Sequence, residues 1–282
     1  MLDARCCAFF QRELSEARRY SAPMLLAVDL GNTNVVMGLY ERDKLVQTFR
    51  VATVRSRTED EYAVLLQQLL SLRQLSTKSV SAAIIASVVP QLTDVMVSAI
   101  RQAVGREPLI VGPGLKTGIS VLYDNPHDVG ADRIVDAVAA FARFQSGLIV
   151  VDFGTATTFN CVSPKGEYLG GVIVPGVKVS LEGLMQSAAK LRPVELSAPP
   201  HVLGRNTTHA IQSGAIHGYA AMVDGLVERL LAELDFPCRV IATGGLASLI
   251  GKHTKRIEEL DPNLTLEGLR ILYERNSKAP SK

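Results

Sequence analysis

The sequence contains the same strand-and-turn unit twice. Residues 25–34 match residues 148–157: an apolar run ends in Asp and is followed by one apolar residue, a Gly and small polar residues. The two aspartates, Asp29 and Asp152, stand 123 residues apart, about the length of one domain. Each run precedes two more strand-like segments joined by a short polar turn, which predicts a β-hairpin. We therefore expect two duplicated α/β domains, residues 24–145 and 146–275.

The chemistry of these two turns suits a phosphate. An Asp that closes a strand presents its carboxylate at the sheet edge, and the Gly after it lets the backbone approach a ligand. The residues that follow offer N–H and hydroxyl donors to phosphate oxygens. Two such turns, one per domain, predict a nucleotide cleft between the domains. Two ordinary hairpins of an α/β protein remain the alternative, because short motifs recur by chance.

A third segment fits a nucleotide site. Residues 239–242 form a strand-like run that leads through Thr243-Gly244-Gly245 into a helix-like stretch beginning near Leu246. Paired glycines let a flat ring lie against the backbone, although Gly-Gly alone usually marks only a turn. Neither GxxxxGK[ST] nor GxGxxG occurs, so neither a P-loop nor a Rossmann dinucleotide site is supported.

Composition and charge exclude several other classes. The chain has 30 basic and 28 acidic residues, and this near-balance of charge argues against a nucleic-acid partner. The longest apolar runs, such as residues 82–90, are far shorter than the ~18 residues of a membrane span, so no membrane partner is expected. The four cysteines, 6, 7, 161 and 238, form no CxxC or Cys–His pattern and indicate reduced thiols in a cytoplasmic protein.

The three turns resemble the phosphate-1, phosphate-2 and adenosine motifs of the acetate and sugar kinase, Hsp70 and actin superfamily. More narrowly, the chain resembles the type III pantothenate kinases, on the segments 112–119, 130–133, 152–158, 170–176 and 205–214. The resemblance implies two actin-like (ribonuclease H-like) domains with a nucleotide cleft. It also implies a cytoplasmic homodimer that phosphorylates pantothenate with ATP to 4′-phosphopantothenate, the first step of coenzyme A biosynthesis. The alternatives are another small-molecule kinase or a phosphohydrolase of this fold, or a non-catalytic transcription accessory factor.

The resemblance also implies roles for individual residues. Asp132 accepts the hydroxyl proton of pantothenate, and Asp152 binds a monovalent cation, K⁺ or NH₄⁺. Mg²⁺ accompanies ATP. The pantothenate contacts are Tyr123, Gly130, Ala131, Asp132, Arg133 and Thr207. The ATP contacts are Asp29, Leu30, Gly31, Asn32, Thr33, Asn34, Val35, Val36 and Thr155.

Two of these residues have a plain structural alternative. Ile134, Val135, Val138 and Phe141 predict a buried helix face. Asp132 then lies in the first turn of that helix, where it complements the helix dipole and should stay ionised as a weak base. Likewise, Asn206-Thr207 can simply cap the following helix.

Other segments carry structural predictions only. Thr58 and Glu61 predict a capping box, followed by a helix with Tyr62, Leu65, Leu66, Leu69 and Leu72 on its apolar face. A long apolar helix over residues 210–234 suits either the core or a second subunit. Residues 1–23 are expected to be a disordered or loosely helical extension, or to precede the true start at Met24, and residues 276–282 a frayed tail.

Overall fold

A computed structural model describes residues 23–188 and 190–277 of the chain. Almost all of the predicted extension, residues 1–22, and most of the predicted tail, residues 278–282, lie outside the described residues. The described residues divide into two compact units, residues 23–115 with 276–277, and residues 116–275. Among the residues that the structure describes, every helix is too short or too polar to cross a membrane.

The first unit is built on a five-stranded sheet of order β3-β2-β1-β4-β5. The first three strands are antiparallel neighbours, and β4 and β5 run parallel to β1. A 3₁₀ turn at Thr77–Ser79 leads into β4. The strands and helices of this unit are β1 (Met24–Leu30), β2 (Asn34–Glu41), β3 (Lys44–Ala52), α1 (Glu59–Leu72), β4 (Val80–Ser87), α2 (Pro90–Val104) and β5 (Leu109–Ile110).

The central position of β1 explains its apolar sequence. It is hydrogen-bonded to β2 on one side and β4 on the other, and every residue in it except Asp29 is buried. The capping box at the start of α1 is confirmed: the Thr58 hydroxyl accepts the N–H of Glu61, and the Glu61 carboxylate accepts the N–H of Thr58 at 2.7 Å. The predicted apolar face is wrong at Leu72, which is 77% exposed because the helix ends there.

The second unit carries a six-stranded sheet of order β11-β10-β7-β8-β9-β6. A π-helical turn, Gly214–Gly218, joins the helices Thr207–Ser213 and Tyr219–Glu233 without a break, so the predicted long helix is present. The strands and helices are β6 (Ser120–Val121), α3 (Ala131–Phe144), β7 (Gly147–Phe153), β8 (Ala156–Val162), β9 (Glu167–Pro175), α4 (Val177–Ser187), α5 (Thr207–Ser213), α6 (Tyr219–Glu233), β10 (Cys238–Thr243), α7 (Ala247–Ile250), β11 (Glu259–Leu260) and α8 (Leu264–Ser277).

The two sheets confirm the predicted duplication. In the second unit β7, β8 and β9 repeat the antiparallel meander of β1, β2 and β3, while β10 and β11 repeat the parallel pairing of β4 and β5. This is the two-unit α/β architecture that the sequence predicted. The predicted domain boundary after residue 145 stays a prediction. The two compact units divide earlier, after Leu115, because α3 packs on β7 and β8 and so belongs to the second unit.

Candidate functional site

Each of the two predicted phosphate turns is closed by a hydrogen bond from the N–H of its glycine, and the first turn is one residue longer than the second. In the first, the N–H of Gly31 donates to the carbonyl of Asn34 at 3.1 Å, and in the second the N–H of Gly154 donates to the carbonyl of Ala156 at 3.0 Å. Each turn presents exposed polar residues, Asn32 and Thr33 in one and Thr155 in the other. These positions leave N–H and hydroxyl groups accessible to a ligand.

Not every predicted ATP contact is accessible through its side chain. Leu30 and Val35, which flank the first turn, are fully buried in the core. Thr53 fixes the same turn by donating from its hydroxyl to the carbonyl of Gly31 at 2.6 Å and from its N–H to the carbonyl of Thr33 at 3.0 Å. Any contact of Leu30 or Val35 with a nucleotide would therefore be made by the backbone.

Asp132 begins helix α3 as its second residue, after an N-cap at Gly130. Its Oδ1 accepts the N–H of Arg133 at 2.8 Å, so the side chain complements the helix N-terminus as the structural alternative expected. Burial nevertheless raises the pKa of the Asp132 carboxyl, against smaller lowering effects of this hydrogen bond and of the Arg133 charge. Tertiary packing removes water from this carboxylate and so raises its pKa above what the helix dipole alone predicts, and its role as a base stays a prediction.

Asp152 is the second perturbed carboxylate of this unit. Burial raises its pKa to about 7, and the negative charge of Asp132 adds to the rise. The helix α3 and the strand β7 thus bring two carboxylates that lie 20 positions apart in the chain into electrostatic contact. Such a pair favours binding of a cation, which would relieve the cost of keeping both groups ionised.

Glycine backbone lies close to both oxygens of the Asp152 carboxylate. A Cβ at Gly154 would lie 3.2 Å from Asp152 Oδ2, and a Cβ at Gly244 would collide with Oδ1. The described residues contain no cluster of three His, Cys, Asp or Glu side chains that could hold a metal ion.

Arg133 and Tyr123 meet at a buried polar cluster. The Arg133 Nε donates to Asn160 Oδ1 at 2.8 Å, and its guanidinium lies 5.7 Å from the ring centre of Tyr168. The Tyr123 ring packs against the same Tyr168, with ring centres 6.3 Å apart. Sequence reasoning assigned nothing to Asn160 or Tyr168, although an amide between the apolar residues Phe159 and Cys161 was a signal for Asn160.

Thr207 is the first residue of helix α5 in the same unit. Asn206 is the N-cap residue of α5 and accepts the N–H of His209 at 2.8 Å, so the capping alternative is confirmed for Asn206. Thr207 is exposed and lines a cavity of roughly 680 Å³. Arg205, Ser180 and Tyr219 line the same cavity. In the described part of the chain, the Thr207 side chain makes no hydrogen bond to the Gly130–Arg133 segment.

Comparison with known proteins decides the family. A family model described as Type III pantothenate kinase matches residues 25–229. The Type III pantothenate kinase of Myxococcus xanthus is 53% identical over 253 residues, which cover 90% of this chain and 99% of the relative. That of Anaeromyxobacter sp. is also 53% identical, covering 90% of this chain and 100% of the relative. The chain belongs to the type III pantothenate kinase family.

As a member of this family the chain is a kinase, a phosphotransferase. Its fold also matches a solved structure of a candidate 2-dehydro-3-deoxygalactonokinase from Sinorhizobium meliloti, with a TM-score of 0.58 and 12% identity. The match covers 92% of this chain and 98% of that one. At this identity the likeness concerns the fold alone, and it agrees with the actin-like, ribonuclease H-like architecture of sugar kinases.

Proposed function

We propose that this type III pantothenate kinase uses Asp132 to accept the proton of the pantothenate hydroxyl as the γ-phosphoryl group of ATP is transferred to it. ATP-dependent phosphorylation of pantothenate to 4′-phosphopantothenate, the first step of coenzyme A biosynthesis, is the activity of the family. The residue assignment rests on the position of Asp132 in the first turn of α3, next to the buried Arg133, where burial also raises the pKa of its carboxyl. Perturbed carboxyls of this kind concentrate at catalytic positions.

Phosphoryl transfer demands aligned reactants and neutralised charge more than a strong base. Asp132 is held by the N–H of Arg133, so its carboxylate has a fixed orientation at the start of α3. Its raised pKa makes it a better proton acceptor than a solvated Asp. We assign Gly130, Ala131, Arg133, Tyr123 and Thr207 to pantothenate binding.

The first turn is assigned to the ATP phosphates. Gly31, Asn32, Thr33 and Asn34 would contribute backbone N–H groups and side-chain donors, and the same assignment includes Asp29, Leu30, Val35, Val36 and, from the second turn, Thr155. Backbone donors suit phosphate oxygens because they carry no charge that must be desolvated. Mg²⁺ enters with ATP, as it does for kinases in general, and neutralises charge on the transferred group.

Asp152 is assigned to a monovalent cation, K⁺ or NH₄⁺. Its support is the half-buried carboxylate, whose pKa is raised to about 7 and which is closely flanked by Gly154 and Gly244. When bound, the cation would supply a positive charge that offsets the developing charge of the phosphates. Asp152 itself would hold that charge in place and, once paired, would no longer repel Asp132.

A homodimer in the cytoplasm completes the proposal. Its support in the chain is a set of exposed large apolar side chains in the second unit, led by Leu203 at 77% and Val202 at 67% exposure. Val179 and Leu184 are exposed as well, and Leu184 lines the same cavity as Thr207. Exposed apolar groups of this size favour burial against a partner. The mass of the protein in solution, measured by light scattering, tests the dimer.

The activity is tested by ATP turnover. ADP release should depend on pantothenate and should not be supported by a panel of other primary alcohols and sugars. The gene should also rescue a bacterial strain that lacks its own pantothenate kinase. ADP release with a different alcohol, and none with pantothenate, would establish another small-molecule kinase instead.

A further inference from the structure

A buried polar cluster lies behind Arg133, between helix α3 and strands β8 and β9. Asn160 is fully buried in β8, and Tyr168 is fully buried in β9. Oδ1 of Asn160 accepts two hydrogen bonds, from Arg133 Nε at 2.8 Å and from the Tyr168 hydroxyl at 3.0 Å. Nothing in the catalytic assignment above uses either Asn160 or Tyr168.

The orientation of the Asn160 amide is fixed at both ends. While Oδ1 accepts from two donors, Nδ2 donates to the Thr158 hydroxyl at 3.1 Å. A flipped amide would place its NH₂ group against Arg133 Nε, which can only donate, and would break that hydrogen bond, whereas the hydroxyls of Tyr168 and Thr158 could exchange donor and acceptor roles. The acceptor atom therefore has one position, and that position sets where the guanidinium of Arg133 lies.

The guanidinium of Arg133 has a hydrogen-bond donor that its observed contacts do not use. The groups that it contacts directly, the Asn160 amide oxygen and the face of the Tyr168 ring, are both neutral, and the adjacent Asp132 acts on it through its charge. Within the described residues, Nη2 of Arg133 is a buried donor without a hydrogen-bond partner. A buried unpartnered donor gains strongly from an incoming acceptor, most of all from an anionic one.

We propose that Asn160, oriented by Tyr168 and Thr158, is a positioning residue that fixes the Arg133 guanidinium to bind the carboxylate of the acceptor substrate. Asn160 acts through Arg133 and makes no contact with the substrate itself. The inference rests on the proposed function, in which Arg133 contacts pantothenate. It adds the residues that determine the position of the Arg133 guanidinium, and hence the affinity of the enzyme for an acceptor that carries a carboxylate.

The test replaces the amide by an apolar group of similar size. In Asn160→Leu the KM for pantothenate should rise about 10- to 100-fold, the loss expected when a charged group is no longer held for its partner. The kcat and the KM for ATP should change less than about threefold, because the phosphate turns and Asp132 are untouched. Cys161→Ala, the next residue of β8 and a member of the apolar core, is the matched control and should lower the melting temperature without changing KM.

A double-mutant cycle separates positioning from mere packing. Arg133→Met should raise the KM for pantothenate by itself, and adding Asn160→Leu to it should have no further effect, because Asn160 acts through Arg133. Additive effects in the double variant would overturn the proposal, as would an Asn160→Leu enzyme with normal KM. Tyr168→Phe keeps the ring and removes only the hydroxyl, so a KM rise of about threefold is expected even if Asn160→Leu folds poorly.

These experiments distinguish a failure of the proposed function from a failure of the positioning role of Asn160. If wild-type ADP release does not depend on pantothenate, the substrate assignment is wrong. If it does depend on pantothenate but Arg133→Met has a normal KM, the substrate role of Arg133 and the positioning role of Asn160 are both wrong. If Arg133→Met raises KM and Asn160→Leu does not, only the positioning role is wrong.

Discussion

The backbone of Gly244 lies directly against the carboxylate of Asp152. Gly244 has a φ of +93°, and a Cβ built on it would collide with Asp152 Oδ1 and with the backbone of Phe153. The Thr243-Gly244-Gly245 turn was predicted to accommodate a flat ring. Its observed contact is with the carboxylate at the end of β7, so this glycine determines the space available beside Asp152.

Gly244→Ala should destabilise the protein and weaken its response to K⁺. The left-handed backbone conformation costs a residue with a side chain about 1–3 kcal/mol, and the collision with Asp152 adds to that cost. The free energy of unfolding is measured by urea titration, and the K⁺ response by ADP release at increasing K⁺.

Gly225→Ala is the matched control. Gly225 lies inside α6 with open space around its Cβ position, so alanine there should keep or raise stability, by up to about 1 kcal/mol. A Gly244→Ala protein as stable and as responsive to K⁺ as the control would contradict the close packing of Gly244 on Asp152.

Asp132→Asn should lower kcat by about 10²–10⁴ while the protein remains folded. The amide oxygen of asparagine can still accept the N–H of Arg133, so the start of α3 is preserved and only the proton acceptor is lost. Steady-state kinetics measure the loss of kcat, and the melting temperature shows whether the protein remains folded. Asp124→Asn, an exposed carboxyl in the preceding loop, is the control and should be as active as the wild type. Wild-type turnover in Asp132→Asn would refute its role as the base.

The requirement for K⁺ or NH₄⁺ should increase at low pH. The Asp152 pKa is about 7, so below that pH a proton competes with the cation for the same carboxylate. The K⁺ concentration for half-maximal activity should rise about tenfold for each pH unit below about 7. ADP release measured at a series of K⁺ concentrations between about pH 6 and 8 gives this dependence. Equal rates in K⁺ and in purely Na⁺ buffer would argue against a specific cation site.

Stability should fall as pH rises toward neutrality in the absence of K⁺. The folded protein holds a proton on Asp152 up to about pH 7, whereas the unfolded chain releases it near the ordinary value of 3.8. Between these values the folded state binds more protons, so the free energy of unfolding decreases with rising pH, by at most about 1.4 kcal/mol per unit from this group. In the Asp152→Asn variant, the free energy of unfolding should no longer show this decrease with pH. Identical pH profiles for variant and wild type would mean that Asp152 titrates normally.

Thr58→Ala should destabilise the first unit without altering catalysis. The substitution removes the hydroxyl that accepts the N–H of Glu61 at 3.3 Å, leaving a helix donor without its cap. The expected cost is about 1 kcal/mol of unfolding free energy, with kcat and KM unchanged. Thr77→Ala, at the start of a 3₁₀ turn whose N-cap is Ser76, is a control in which no side-chain cap is lost. If Thr58→Ala lowers the free energy of unfolding no more than Thr77→Ala does, the capping box contributes little to stability.

Local sequence rules predicted most of the secondary structure because those signals act over a few residues. The hairpins after Asp29 and Asp152, the cap at Thr58 and the helix start near Asp132 all depend on neighbours in the chain. Leu72 was misplaced because its periodicity fits the helix, but the helix ends there and the side chain meets no partner. Helical spacing shows which residues share a face, and only packing shows how far along the helix that face is covered.

The sequence by itself determined the duplicated architecture, since a repeated strand-and-turn pattern can be read without knowing any long-range contact. The tertiary structure alone decided the chemistry of the carboxylates and of Arg133. The pKa values of Asp132 and Asp152 depend on the water that packing removes and on the approach of α3 to β7. Likewise, Asn160 meets Arg133 across 27 positions, because a helix and a strand distant in sequence pack together.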